Sequence, residues 1–296
     1  DGNWHKEYSV IIDTFDLPLR YDFEHYELNE TGKYQVFFEE TQGTALFKQY
    51  IWASGNSGFA LTGVGRNPQE YPTVSIENGI DGSRGIKLET KSTGQFGETV
   101  KMPIAAGNLF LGSFDVNNAV QKPLKATRFG LPFGKKPLQL KGYYKYTPGT
   151  QPFKAKDKNG NTVTIPGQED EGDIYAVLYE AAELDGKALD GNNVLTSEYI
   201  VALARVEVEK KDEFTAFHVD FHYRSRIPID WPKFIQDQRD PSDDGTGEYW
   251  PFKEEKMKNY EYNLAVVFTS SKYGAYFAGS VGSTLCIDKV EIVCEK

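Results

Sequence analysis

Apolar side chains recur on alternate residues through much of this chain, in short runs separated by Gly, Asn, Pro and Asp. In 214–224, Phe217, Val219, Phe221 and Tyr223 share one face, while Ala216, His218, Asp220 and His222 share the other. In 138–147, Leu138, Leu140, Gly142, Tyr144 and Tyr146 align, and Tyr143 points away among Lys141 and Lys145. A period of two is the mark of a half-buried strand. Strands are expected over 34–39, 44–52, 85–91, 108–115, 138–147, 173–181, 199–209, 214–224, 260–269 and 283–294. A further short run, with Trp4, Tyr8, Val10 and Ile12 on even positions, precedes the plausible linker 15–18. Asn159-Gly160 suits a primed hairpin turn. Helical signal is confined to 232–238, where Pro232 stands near the start. Short strands without intervening helices predict an antiparallel sandwich or barrel, and no fixed-period repeat is present.

The closing stretch 270–293 organises the rest. Its glycines, Gly274, Gly279 and Gly282, permit close backbone approach before a strand in which Leu285, Ile287, Val290 and Ile292 supply the apolar side chains. Asp288 interrupts that run and needs a cation, a backbone donor or solvent. The strand is expected to close the sandwich against a segment near the start.

Composition narrows the function. The net charge of -10 argues against nucleic acid and anionic membrane as partners. Among 296 residues there is no apolar run of membrane-spanning length. Cys286 and Cys294, roughly 26 Å apart on one extended strand, are expected to be free. The start at Asp1, without a methionine or an apolar leader, has the look of a processed or trimmed chain. Two connections, 53–84 and 225–258, exceed the usual loop length, and the second carries Trp231, Trp250 and the acidic tract 240–245.

Several residue sets could carry chemistry. Flat aromatic side chains with polar tips stack on sugar rings, so Trp52, Tyr144 and Tyr146 are candidate groove residues, with Trp231 or Trp250 as a side wall. The alternative for the tyrosines is sandwich core. Glycoside hydrolysis needs two carboxylates about 5–5.5 Å or about 6.5–9.5 Å apart. Glu89, Glu180 and Asp220 are mid-strand acids, of which Glu180 and Asp220 are the catalytic candidates. His218 and His222 lie roughly 13 Å apart on an extended strand and cannot share one ion, although either could do so with Asp220. A solvated outer face accounts for the same row. Nucleophilic-serine, phosphate-loop and zinc-protease motifs are absent.

Ser270-Ser-Lys, Gly274, Phe277, Gly279, Gly282-Ser-Thr-Leu285 and Asp288 together resemble the C-terminal signature of the PCMD family, a carbohydrate metabolism domain of Bacteroidetes surface proteins. Tyr21-Asp-Phe-Glu24, Gly107-Asn-Leu-Phe-Leu-Gly112, Leu140 to Gly149 and Asp173 to Glu180 match in order, so the resemblance covers about residues 20–296. It implies an all-β antiparallel jelly-roll sandwich with long loops and little helix. The jelly-roll domain is then expected over 14–296, with 1–13 as a residual strand or linker from a preceding immunoglobulin-like domain. The resemblance also implies an exported protein of the outer-membrane surface or periplasm, lipid-anchored through a removed N-terminal segment. Its expected role is glycan binding by a monomer, with other surface proteins as further partners. The alternatives are a glycoside hydrolase or lyase and a structural or adhesive surface protein. A second resemblance, to jelly-roll carbohydrate-binding modules, rests on Phe23-Glu24 and Asp288-Lys-Val290. It implies that Glu24 and Asp288 share a structural calcium. The alternative is that Asp288 accepts backbone N–H bonds or meets Lys289 or Arg84.

Overall fold

The alternating runs pair as antiparallel strands of two stacked sheets. The computed structural model describes residues 16–41, 47–185, 187–239 and 246–296, so the strand expected over 4–12 lies outside the described residues. Among the described residues the main strands of the sandwich are β1 (Arg20–Tyr21), β2 (Thr73–Ile76), β3 (Gly85–Glu89), β4 (Asn108–Phe114), β5 (Pro137–Thr147), β6 (Asp173–Glu180), β7 (Ile200–Val206), β8 (Lys211–Asp220), β9 (Tyr262–Thr269) and β10 (Thr284–Cys294), with the short strands Trp52–Ala53, Thr127–Phe129 and Leu131–Pro132 flanking the second sheet. The first sheet runs β8-β5-β10-β3-β2, and the second runs β4-β9-β6-β7. From β3 onward the chain changes sheet at every connection except β6 to β7, which is the winding of a jelly roll.

The closing strand β10 lies between β5 and β3, and β1 pairs its far end through Arg20↔Glu291 and Tyr21↔Val290. The first and last strands are therefore neighbours. Along β10 the inward residues change parity, from Leu285 and Ile287 to Val290 and Ile292. A bulge accommodates the slip: the register with β5 shifts between Lys141 and Tyr143, and Lys289 takes φ 47.

Inward side chains of the two sheets meet in one core that includes Leu140, Ile287 and Ile292 from the first sheet and Leu109, Leu178 and Phe268 from the second. Each such burial removes about 1.5–3 kcal/mol worth of apolar surface from water. The face expected from 214–224 is inward at Phe217 and Phe221, while Ala216, His218 and Asp220 are exposed. Leu138 departs from expectation and is exposed, because the register slips between Pro137 and Gln139 and turns it outward. Sequence periodicity also missed β2, a four-residue strand inside a stretch taken as loop, and three short helices: α1 (Asn56–Ala60), α2 (Gly94–Thr99) and α4 (Glu254–Lys258). The helix expected over 232–238 is present as α3 (Lys233–Gln236).

The second sheet is unusual in being apolar on both faces. All eight residues of β6 are buried. Ile174, Ala176 and Leu178 face the sandwich core, whereas Tyr175, Val177 and Tyr179 join a second cluster with Leu203 and Val267 on the outside. An antiparallel sheet with two apolar faces requires a cover on each. Residues of 181–185, 187–199, 225–239 and 246–250, including Leu189, Val194 and Tyr249, provide it.

Candidate functional site

A cleft of about 200 Å³ opens at the margin of that cover. Its floor is the outer face of the second sheet, with Asn108 and Phe110 on β4, Asp173 and Tyr175 on β6, Arg205 on β7, and Val267 and Thr269 on β9. These positions alternate with core residues, so the strand pleat itself aims them outward. Helices α1 and α2 contribute Phe59 and Phe96 to one wall. Trp231, Arg239, Tyr276 and Phe277 stand on other walls.

The Tyr276 wall is the Gly/Ser-rich stretch, and a single buried carboxylate holds it. Asp170 Oδ2 accepts from Ser271 Oγ at 2.6 Å, Ser283 Oγ at 2.7 Å and the Ser280 N–H at 2.8 Å. Thr90 Oγ1 lies 2.5 Å from Ser271 Oγ and 2.8 Å from Ser270 Oγ, and Ser270 Oγ accepts from the Gly107 N–H at 3.0 Å. A β-carbon at Gly279 would stand 2.5 Å from Ser271 Oγ, and one at Gly274 would meet Ala106 at 2.3 Å, so both positions demand glycine. Burial pushes the Asp170 carboxyl up to about 6 despite its donors. Sequence alone does not reveal this network: the serines stand together in the closing motif, but their common acceptor lies about a hundred residues upstream.

At the floor, Arg205 Nε and Nη2 donate to the two oxygens of Asp173 at 2.9 and 2.7 Å. Burial alone would lower the Arg205 guanidinium, and the Asp173 charge more than reverses that. Burial and the same carboxylate raise the Tyr175 phenol. Arg239 stacks on Trp231 with its guanidinium carbon 4.2 Å from the ring centroid, and it also donates to the Tyr276 hydroxyl and to Thr196 Oγ1. The Trp231 indole N–H is buried and has no acceptor among the described residues. Lys272, at the rim, pairs with Glu171 at 2.7 Å.

The residues proposed from sequence fall in different places. Trp231 lines the cleft. Trp52, Tyr144 and Tyr146 do not. All three are buried in the sandwich core, where Trp52 packs edge-on against Tyr21 and donates to Glu39 Oε1 at 2.8 Å. The two tyrosines share the inward face of β5 with Leu140 and Trp52 faces them from the second sheet, and a side chain between two sheets cannot touch a ligand. Trp250 is partly buried against the same core and meets Tyr199 at a tilt with centroids 5.3 Å apart, away from the cleft lining.

Glu180 and Asp220 are not brought together. Glu180 is fully buried on the second sheet and paired with Lys256 at 3.0 Å. Asp220 is exposed on the first sheet, accepting from Gln139 at 2.6 Å. Glu89 is clasped by Lys87 and Lys91. The one carboxylate among the described cleft residues is Asp173, and Arg205 occupies both of its oxygens.

Glu24 and Asp288 both grip the turn before β3. Asp288 Oδ2 accepts from the Ile80 N–H at 2.7 Å and Ser83 Oγ at 2.8 Å, and Oδ1 accepts from the Lys289 N–H at 2.7 Å. Glu24 Oε1 accepts from the Arg84 N–H at 3.0 Å. Donor hydrogens aimed at these oxygens suit a hydrogen-bonded carboxylate and repel a cation, so the arrangement does not fit calcium. Among the described residues no cluster of three or more His, Cys, Asp or Glu side chains is placed to hold a metal.

An antiparallel jelly roll with an aromatic cleft on the outer face of one sheet is the class of protein that these observations define. The sequence profile described as "Putative carbohydrate metabolism domain" (PCMD) matches residues 22–293, and the chain belongs to that family. It is similar to a solved "putative glycoside hydrolase" of Bacteroides thetaiotaomicron, at 40% identity and a TM-score of 0.77, over 95% of this chain and 72% of that one. It is also similar to a solved "putative glycoside hydrolase" of Bacteroides vulgatus, at 34% identity and a TM-score of 0.75, over 95% of this chain and 100% of that one. A family 11 carbohydrate-binding module of a Clostridium thermocellum cellulase superposes with a TM-score of 0.32 at 8% identity, covering 75% of this chain and 81% of its own, too slight a likeness to bear on function. No curated protein matches.

Proposed function

We propose that this domain binds a glycan in the cleft above its second sheet and does not cleave it. One observation carries the reading: aromatic side chains, Trp231 among them, wall the cleft, while its one carboxylate among the described residues is neutralised by Arg205. Flat apolar surfaces with polar groups beside them suit a sugar ring. A glycan array, followed by calorimetric titration of the best ligand, tests it. Stacking on one aromatic is worth about 1–3 kcal/mol, so Trp231→Ala should weaken binding at least about five-fold. Its melting midpoint should fall by only a few degrees, since Trp231 sits at the edge of its cluster. Unchanged affinity in the folded variant, or no bound glycan, refutes the reading.

Hydrolysis is the second reading, favoured by the names of the two solved relatives. It requires an acid pair at one of the two glycosidase spacings. Reducing-sugar release by the wild type, abolished in a folded Asp173→Asn variant, would replace binding with catalysis.

A further inference from the structure

The part of the cleft floor around Phe110 is too apolar to be a seat for sugar hydroxyls. Phe110 and Phe129 meet edge to face with centroids 4.9 Å apart, and Tyr175 and Val267 continue that surface. Phe110 is 1% exposed and Val267 is 4% exposed, so this patch lies at the bottom of the cleft. The charges nearby are answered from within the protein: Asp173 by Arg205, and Lys272 by Glu171. Arg239 lies along the ring of Trp231. Charge complementarity therefore calls for a neutral occupant at the floor. Size points the same way, because a dry apolar cavity of about 150 Å³ holds benzene, and this one measures about 200 Å³.

One side of the rim is apolar as well. Phe96, which lines the cleft, is 41% exposed. An exposed aromatic side chain at a cavity mouth suits an apolar group of a ligand.

We propose that the glycan taken by this cleft carries an aryl substituent, which seats on the Phe110, Phe129 and Val267 floor while the sugar lies at the mouth against Trp231. A third ring placed there extends the edge-to-face stacking of the phenylalanines. The inference rests on the cleft being the glycan site, and the test separates the two.

Matched panels of methyl and 4-nitrophenyl glycosides of glucose, galactose, mannose and xylose, with free 4-nitrophenol beside them, are titrated against the whole chain by calorimetry. The expected result is that one 4-nitrophenyl glycoside binds tenfold or more tightly than its methyl counterpart and than free 4-nitrophenol. Val120→Trp, which fills the cleft from a surface turn, should erase that advantage, and Phe96→Ala at the rim should reduce it without disturbing the melt. Equal affinity for methyl and 4-nitrophenyl glycosides overturns the aryl inference and leaves glycan binding standing. Free 4-nitrophenol binding as tightly as its glycosides overturns the recognition of any sugar, and no binding of either panel overturns both. Self-association abolished by Phe96→Ala, without any preference for aryl glycosides, gives the rim to a second copy of the chain and also overturns the proposal.

Discussion

Asp170→Asn separates two opposing effects on the carboxylate that pins the 270–283 wall. The wild-type side chain accepts from Ser271, Ser280 and Ser283 through Oδ2 and from the Glu171 N–H, at 3.0 Å, through Oδ1. Asparagine keeps the shape and can turn its oxygen toward the three serines, losing the Glu171 bond at a cost of about 1–2 kcal/mol. The carboxyl, however, rises from its ordinary 3.8 to about 6 because burial disfavours its charge. A native value above the unfolded one gives stability that is full below 3.8 and is lost as pH climbs through about 6. The difference, 6 minus 3.8, is 2.2 units, or about 3 kcal/mol at 1.36 kcal/mol per unit. Asparagine does not titrate. Urea unfolding of both proteins between pH 4 and pH 8 should show the wild type ahead at the acid end and level with or behind the variant at neutral pH, a relative change of about 3 kcal/mol. A difference that is flat, or that moves toward the wild type as pH rises, refutes the reasoning: the four donors would then outweigh burial, and the native carboxyl would titrate at or below its ordinary value.

Glu39 is pushed up to about 8, by burial first and Asp22 last, against the opposing Trp52 bond. Stability is thus expected to fall as pH rises from 4.5 through 8, and Glu39→Gln, which keeps an acceptor for Trp52, should melt several degrees above the wild type at pH 9 and with it at pH 4. Lys256→Met strands the fully buried Glu180 and should cost about 3–5 kcal/mol in urea unfolding, most of it recovered when Glu180→Leu is added; no recovery would mean that the lysine acts through other contacts. Melting curves in chelator and in millimolar calcium should coincide, whereas Asp288→Ala, which frees the Ile80, Ser83 and Lys289 donors, should lose about 2–4 kcal/mol; a calcium-dependent rise in Tm would restore a metal to the Glu24 and Asp288 turn.

Period-two patterning was a sound guide to the strands because each sandwich strand has a core face and Gly, Asn or Pro at its ends. It says which residues share a face, but not what that face meets. Tyr144 and Tyr146 read equally well as platform or core, and the sandwich took them inside with Leu140. The strand Asp173-Ile-Tyr-Ala-Val-Leu-Tyr-Glu180 held the better clue. Apolar on both faces and acid at both ends, it announces a sheet covered twice, whose terminal charges must find partners. Those partners could not be read. Arg205 stands opposite Tyr175, which puts it diagonally across from Asp173, a relation that exists only once β6 and β7 have chosen their register. Lys256 reaches Glu180 from a helix whose place depends on β9. The chemistry of the cleft is therefore a product of pairing. The sheets bring Asn108, Asp173, Arg205 and Thr269 to one floor, and the Asp170 network fixes the loop that walls them in. Residues so far apart in the chain become a site because the jelly roll lays β4, β9, β6 and β7 side by side.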